Sequence, residues 1–175
     1  MEGKYFAYLE TKKYQTKYRT EFITITGDIV SAIKRSGIKR GIVVIQTHHT
    51  TCSIWVNENE KNLIGPTETL GYESDLRKIL DSFAHPSDEY GHNDIKHSKN
   101  TKGRRDTHLC EPDENGIINE CINGHAHAQA LLLQSSVSLI VEDGELLRGL
   151  WQEVMLVELD HDRERTVSFL ISGVK

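Results

Sequence analysis

The sequence predicts an α+β fold: one domain, residues 1–175, with a mainly antiparallel sheet packed by a few helices. Three observations carry this. Strand-like and helix-like segments mix only in the first two thirds, and the final third is almost wholly strand-like. Short turns join the C-terminal strand patterns, which implies antiparallel pairing, because parallel neighbours need a long crossover. At 175 residues the chain has the length of a single domain, large enough to bury a core without covalent staples. Strands and helices first, then a three-strand run, is an α+β order rather than a doubly wound one.

The elements follow in order. Residues 4–10 are apolar and aromatic and read as a strand, and 21–26 (EFITIT) alternate with period two. Asp28 opens an amphipathic helix with Ile29, Val30 and Ile33 on its buried side, and Gly37 stops it. Residues 41–47 (GIVVIQT) are β-branched and read as a central strand, and 52–56 continue as another. Leu76, Ile79, Leu80 and Phe83 have helical spacing within 72–84. Residues 85–120 are polar and aperiodic. A helix over 125–133 is expected to turn Ala128, Leu131 and Leu132 inward. Strands at 137–141, 151–159 and 166–171 complete the chain, with a turn at Asp143-Gly144.

Composition excludes several classes of function. With 37% hydrophobic and 27% charged residues the chain reads as soluble, and a net charge of −5 argues against a nucleic-acid binder. The basic run at Lys99, Lys102, Arg104 and Arg105 is short and reads as a solvated loop. No apolar leader or membrane-length stretch is present, and three cysteines without close pairing (Cys52, Cys110, Cys121) fit a reduced, cytoplasmic protein. No phosphate-binding glycine loop, dinucleotide fingerprint or CxxC pair occurs.

Eight of the nine histidines fall between His48 and His127. Imidazole binds borderline metals and moves protons near neutral pH, so this region is where a site is expected. His48-His49-Thr50-Thr51 follows the central strand, and alternation puts His49 on the face of Val43, Ile45 and Thr47, with His48 on the other. His92 lies in a loop. His125 and His127 open a helix, where residues two apart diverge, so one serves the site and the other does not. Three imidazoles from a strand end, a loop and a helix start are able to hold one zinc ion with an open position. Against this, each histidine is equally a capping or solvated residue, and His108 with Cys110 is a lesser possibility. Glu58, in Asn57-Glu58-Asn59-Glu60, is a candidate general base or a hydrophilic strand end. Arg163 and Arg165 form a phosphate clamp or a charged hairpin neutralised by Asp162 and Glu164. Cys52 reads as a small core residue, and Trp151 as core or as a face for a heterocycle.

Taken together and in order, several pieces resemble the YjbQ family of secondary thiamine-phosphate synthase-like proteins. They are His49-Thr50-Thr51, Asn57-Glu58-Asn59, Tyr90-x-His92-Asn93, Asn123-Gly124 with His127, Asp143-Gly144 with Leu146, Gly149-x-Trp151-Gln152, and Asp160 with Arg163 and Arg165. The resemblance spans roughly 20–172. It implies a compact α+β domain in a homotrimer, and a transferase that couples hydroxymethylpyrimidine diphosphate with thiazole phosphate, expelling pyrophosphate. His49, His92 and His127 would then be site histidines and metal ligands for zinc or another transition metal, with magnesium the ion usual in pyrophosphate chemistry. Thr50, Thr51, Asn57, Asn123, Gln152, Arg163 and Arg165 would line the phosphorylated substrate. Two other functions fit the residues: a metal-dependent phosphate-ester hydrolase with Glu58 as base, and a non-catalytic trimeric metal- or ligand-binding protein. The chain departs from the family pattern in a polar insert at about 93–121, His125 at a usually acidic position, Gln129 at a usual lysine, and His161-Asp162 at a usual Gly-Pro.

Overall fold

Alternating exposure runs the whole length of the first strand, β1 (Tyr5–Gln15), well past the apolar stretch that announces it. The computed structural model describes residues 4–65, 74–93 and 122–175. After β1 come β2 (Glu21–Thr24), α1 (Thr26–Ser36), β3 (Arg40–Thr47), β4 (Cys52–Glu58), α2 (Lys61–Ile64) and α3 (Asp75–Phe83). A 3₁₀ turn (Gly91–Asn93), α4 (Gly124–Ala130), β5 (Ser136–Glu142), β6 (Glu145–Leu146), β7 (Gln152–Glu158) and β8 (Glu164–Val174) follow. Most of the 93–121 insert, including Cys110, Cys121, His108 and the basic run, lies outside the described residues.

The strands form two antiparallel sheets, one ordered β1-β8-β3-β5-β6 and one ordered β2-β7-β4. Strand β7 shows why the layers stack. Val154 and Leu156 join the core under α1 and the larger sheet, with Val43, Ile45, Phe169 and Ile171. Met155 and Val157 join a second core with Phe22, Ile64 of α2, Leu80 of α3 and Ala126 of α4. A strand buried on both faces reads as an unbroken apolar run, which is what residues 154–157 are.

Local signals end the elements as expected. Gly37 caps α1 at φ 68°. Asp143 and Gly144, at φ 54° and 77°, both occupy the left-handed region and close the β5–β6 hairpin. Helix α2 was not foreseen: Glu60, read as a strand end, accepts hydrogen bonds from the Asn62 and Leu63 amides and starts a helical turn. The inward face expected of residues 125–133 is corrected. Helix α4 stops at Ala130, leaving Leu131 80% exposed and Leu132 half exposed, and it buries His125, Ala126 and Gln129 instead. Ile79 and Phe83 on α3 are also largely exposed, so Leu80 is that helix's buried anchor. Trp151 is 68% exposed and is no part of the core.

Candidate functional site

One end of the molecule gathers the β3–β4 turn, the β7–β8 turn and the start of α4. The β3–β4 turn is strapped to β8 by two contacts. The His48 amide donates to the Thr166 carbonyl at 3.1 Å, and the Thr166 amide donates to His49 Nε2 at 2.9 Å. Thr51 in the same turn accepts the Leu159 amide at 3.1 Å, which ties it to the end of β7. As alternation required, Thr47 is buried and His48 is exposed, with His49 half-buried on the inner side.

Between the sheets at this end lies a buried ion pair. Glu158 is fully buried and Arg165 is 3% exposed. Arg165 Nε donates to Glu158 Oε2, and its Nη2 donates to Glu158 Oε1 at 2.7 Å and to Thr51 Oγ1 at 3.2 Å. The Asp160 amide caps Glu158 Oε1 at 2.8 Å, and the Cys52 thiol donates to Oε2 at 3.3 Å. Cys52 is therefore the core residue expected, and burial, reinforced by Glu158, pushes its thiol pKa well up. Arg165, read as part of a phosphate clamp, is spent inside the protein. Its partner is Glu158, whereas Glu164 pairs with Lys13 at the surface.

Outward from that pair the polar chain continues. Asp160 is 4% exposed, accepts Asn123 Nδ2 at 2.9 Å and lies 3.4 Å from Arg163 Nη2. Arg163 Nη2 is 2.8 Å from His161 Nε2, so the histidine at the usual Gly position of that turn is tied to the arginine that follows the turn. Asn123 precedes α4, and the next residue, Gly124, donates its amide to Asn93 Oδ1 at 2.9 Å. Gly124 also sits against the Tyr90 ring, where an added Cβ would meet Tyr90 Cβ at 2.5 Å. This close approach clamps the 3₁₀ turn onto α4 and brings His92 and His127 together. Their ring centroids are 4.5 Å apart in an edge-on arrangement.

Of the three candidate histidines, the structure thus pairs two. His49 Nε2 uses its lone pair on the Thr166 amide, which leaves the ring in the Nδ1–H form. Burial, then the Arg165 charge, lowers its pKa and keeps it neutral. Among the described residues, no group of three His, Cys, Asp or Glu side chains is placed to hold a metal ion. The three-imidazole centre does not fit this arrangement, because His49's acceptor nitrogen is already engaged. His125, the neighbour expected to stand apart, does so. It is buried, neither ring nitrogen makes a hydrogen bond of ordinary geometry, and burial followed by Arg19 lowers its pKa against weaker pulls from Asp160, Asp81 and the Leu159 backbone.

The remaining candidates lie elsewhere. Cys52 pairs with Glu158 at one end of β4 and Glu58 with Gln152 at the other, so the six-residue step between them puts Glu58 about 20 Å away along the strand. Asn57 accepts the Glu58 amide, Gln152 Oε1 accepts the Gly149 amide, and exposed Thr50 stays with the His49 turn. Reasoning from sequence missed Glu158 as the anchor of the site. Its signal was a carboxylate closing the apolar run 154–157, where a charge persists only when paired.

No helix among the described residues is long and apolar enough to cross a membrane. A sequence profile of the family described as UPF0047 protein YjbQ-like matches residues 10–174. A UPF0047 protein of Methanocaldococcus jannaschii is 32% identical over 165 residues, covering 93% of this chain and 94% of that protein. Another, from Methanothermobacter thermautotrophicus, is 27% identical over 166 residues, covering 95% and 92%. Among solved structures, a YbjQ-like protein of unknown function from Sulfolobus solfataricus superposes with a TM-score of 0.75 at 29% identity, covering 97% of this chain and 99% of that one. The fold, the ordered pieces around the paired histidines and these likenesses agree: the chain belongs to the YjbQ-like (UPF0047) protein family.

Proposed function

We propose that the protein is a cytoplasmic transferase of the secondary thiamine-phosphate synthase kind. It joins hydroxymethylpyrimidine diphosphate to thiazole phosphate and releases pyrophosphate. The observation that carries the reading is the His92–His127 ring pair, clamped at 4.5 Å, with the Asp160–Asn123–Arg163 set at the same end of the molecule. In the coupling step the thiazole nitrogen forms a bond to the pyrimidine methylene carbon. The carbon–oxygen bond breaks, and its electron pair leaves with pyrophosphate. Charge grows on the leaving oxygens, where Arg163 and hydrogen bonds from the His92 and His127 rings stabilise it. Asp160 positions Arg163 and Asn123, and the Glu158–Arg165 pair holds Asp160's backbone. His92 and His127 are the residues that would hold the divalent metal implied by the family resemblance, and no step depends on it.

The working unit is a homotrimer. Asn57, Glu58 and Gln152 lie at the far end of β4 and β7, next to the exposed Leu147, Leu150 and Trp151. In a trimer they complete the histidine end of a neighbouring copy, which returns Glu58 and Gln152 to the substrate. The test supplies both substrates to the purified protein and follows thiamine phosphate and pyrophosphate together. Equimolar products that require both substrates support the reading. Release of phosphate from either substrate alone supports a hydrolase, and no turnover supports a binding protein. Mixing inactive Glu58→Ala and His127→Ala proteins restores activity if sites are shared between copies, and leaves the mixture inactive if they are not.

A further inference from the structure

Beside β2, the edge strand of the smaller sheet, a cleft of about 600 Å³ opens that contains none of the residues assigned above to the reaction. That volume is in the range of small-molecule sites. The apolar part of its lining is Phe22, Ile23 and Ile64. Lys17 and Lys61, both exposed, also line it, together with Thr24 at the end of β2 and Asn59 just before α2. Asn59 Nδ2 donates to Thr24 Oγ1 at 3.0 Å, which braces this side of the rim.

The charges around the cleft are unbalanced. Among the described residues, neither the Lys17 nor the Lys61 amine takes part in an ion pair, although the neighbouring lysines Lys12 and Lys13 both do. The single carboxylate in the lining, Glu21, is 6% exposed and accepts the Lys17 backbone amide at 2.6 Å. Two ammonium groups at the mouth and one buried carboxylate within form a directional field. An anionic group is favoured at the rim and disfavoured deeper in, while a neutral apolar body is accommodated by Phe22, Ile23 and Ile64.

We propose that this cleft is a second ligand site, separate from the histidine end. It takes a small organic anion, a phosphate monoester or carboxylate, whose apolar body enters while the charged group stays between Lys17 and Lys61. The site is independent of the proposed transferase reaction and stands or falls separately.

The probe is phenyl phosphate, titrated into the full-length protein while backbone amide resonances are followed by NMR, with benzoate, phenol and inorganic phosphate as parallel arms. Saturable shifts at Thr24, Asn59, Lys61 and Gly65 are expected with phenyl phosphate or benzoate, and whichever binds tighter identifies the preferred anion. Phenol, lacking the charge, and inorganic phosphate, lacking the body, bind more weakly. The Lys17→Ala/Lys61→Ala variant, changed only at exposed side chains, melts as wild type does and binds the probe roughly tenfold more weakly, as loss of two exposed charge contacts allows. The proposal is overturned if the double variant binds equally well, if phenol matches phenyl phosphate, or if no shifts arise at this cleft. Shifts confined to His92, His127 and Arg163 would overturn it while leaving the reaction centre intact.

Discussion

Substituting Arg165 by Met tests the framework on which the histidine end is built. Glu158 is fully buried and receives both Arg165 nitrogens, so the substitution keeps the volume of the aliphatic stem but strands a carboxylate between two sheets. Breaking one side of a buried ion pair costs about 3–5 kcal/mol, more than the pair itself contributes over an apolar replacement. For a domain of this length that lowers Tm by roughly 6–20 °C. Changing Glu158 to Gln in the same protein removes the stranded charge and keeps an oxygen for the Asp160 amide. The double variant Glu158→Gln/Arg165→Met therefore regains at least about 2 kcal/mol of the loss. Urea denaturation at pH 7, with matching slopes to confirm that the denatured states are alike, measures both. The reasoning fails if Arg165→Met lies within 1 kcal/mol of wild type, or if the double variant is no more stable than the single one.

Other consequences are equally direct. Gly124→Ala forces a methyl into the Tyr90 ring, so it costs roughly 1–3 kcal/mol and separates the His92 and His127 rings, visible as loss of their mutual NMR contacts. His125 has a pKa below its ordinary value of about 6.5, so its neutral form stabilises the fold above that pH, and this contribution is lost as pH falls. His125→Leu, which removes a buried ring without good hydrogen bonds, leaves stability at pH 7.5 unchanged or higher and flattens the decline of Tm below pH 6.5. Leu131→Lys, at a position 80% exposed, changes stability by less than about 0.5 kcal/mol in the same denaturation assay.

Much of the fold was legible because its determinants are local. The β-branched run 41–47, the glycine after α1 and the Asp143-Gly144 turn each specify their own conformation. The C-terminal strands are where the pattern put them. The errors arose where tertiary context outweighed pattern. Strand β1 runs five residues past its apolar half because pairing with β8, rather than hydrophobicity, extends it through Thr11–Gln15. At α4, Leu131 and Leu132 looked like part of the buried face, yet the helix ends first and the small residue Ala126 makes the close contact.

The site shows the same division. Alternation along β3 correctly separated His49 from His48, and helical geometry correctly separated His127 from His125. What sequence spacing does not encode is which lone pairs are already used. His49 looked like a third ligand until the Thr166 amide was seen to occupy its Nε2. Likewise, the Arg163-x-Arg165 pattern suggested a phosphate clamp, but Arg165, within β8, is buried against Glu158, whereas Arg163, just before that strand, lies with Asp160 and His161. Asn57, Glu58 and Gln152 share one sheet end because β4 pairs with β7, a long-range register that motif order alone does not give.

The claim that the clamped imidazole pair is the reaction centre is tested most directly by turnover of His127→Ala against wild type with both proposed substrates present. The account predicts a loss of about 10²-fold or more, with the circular dichroism spectrum and melting profile of a folded protein. Turnover by His127→Ala equal to wild type would contradict it.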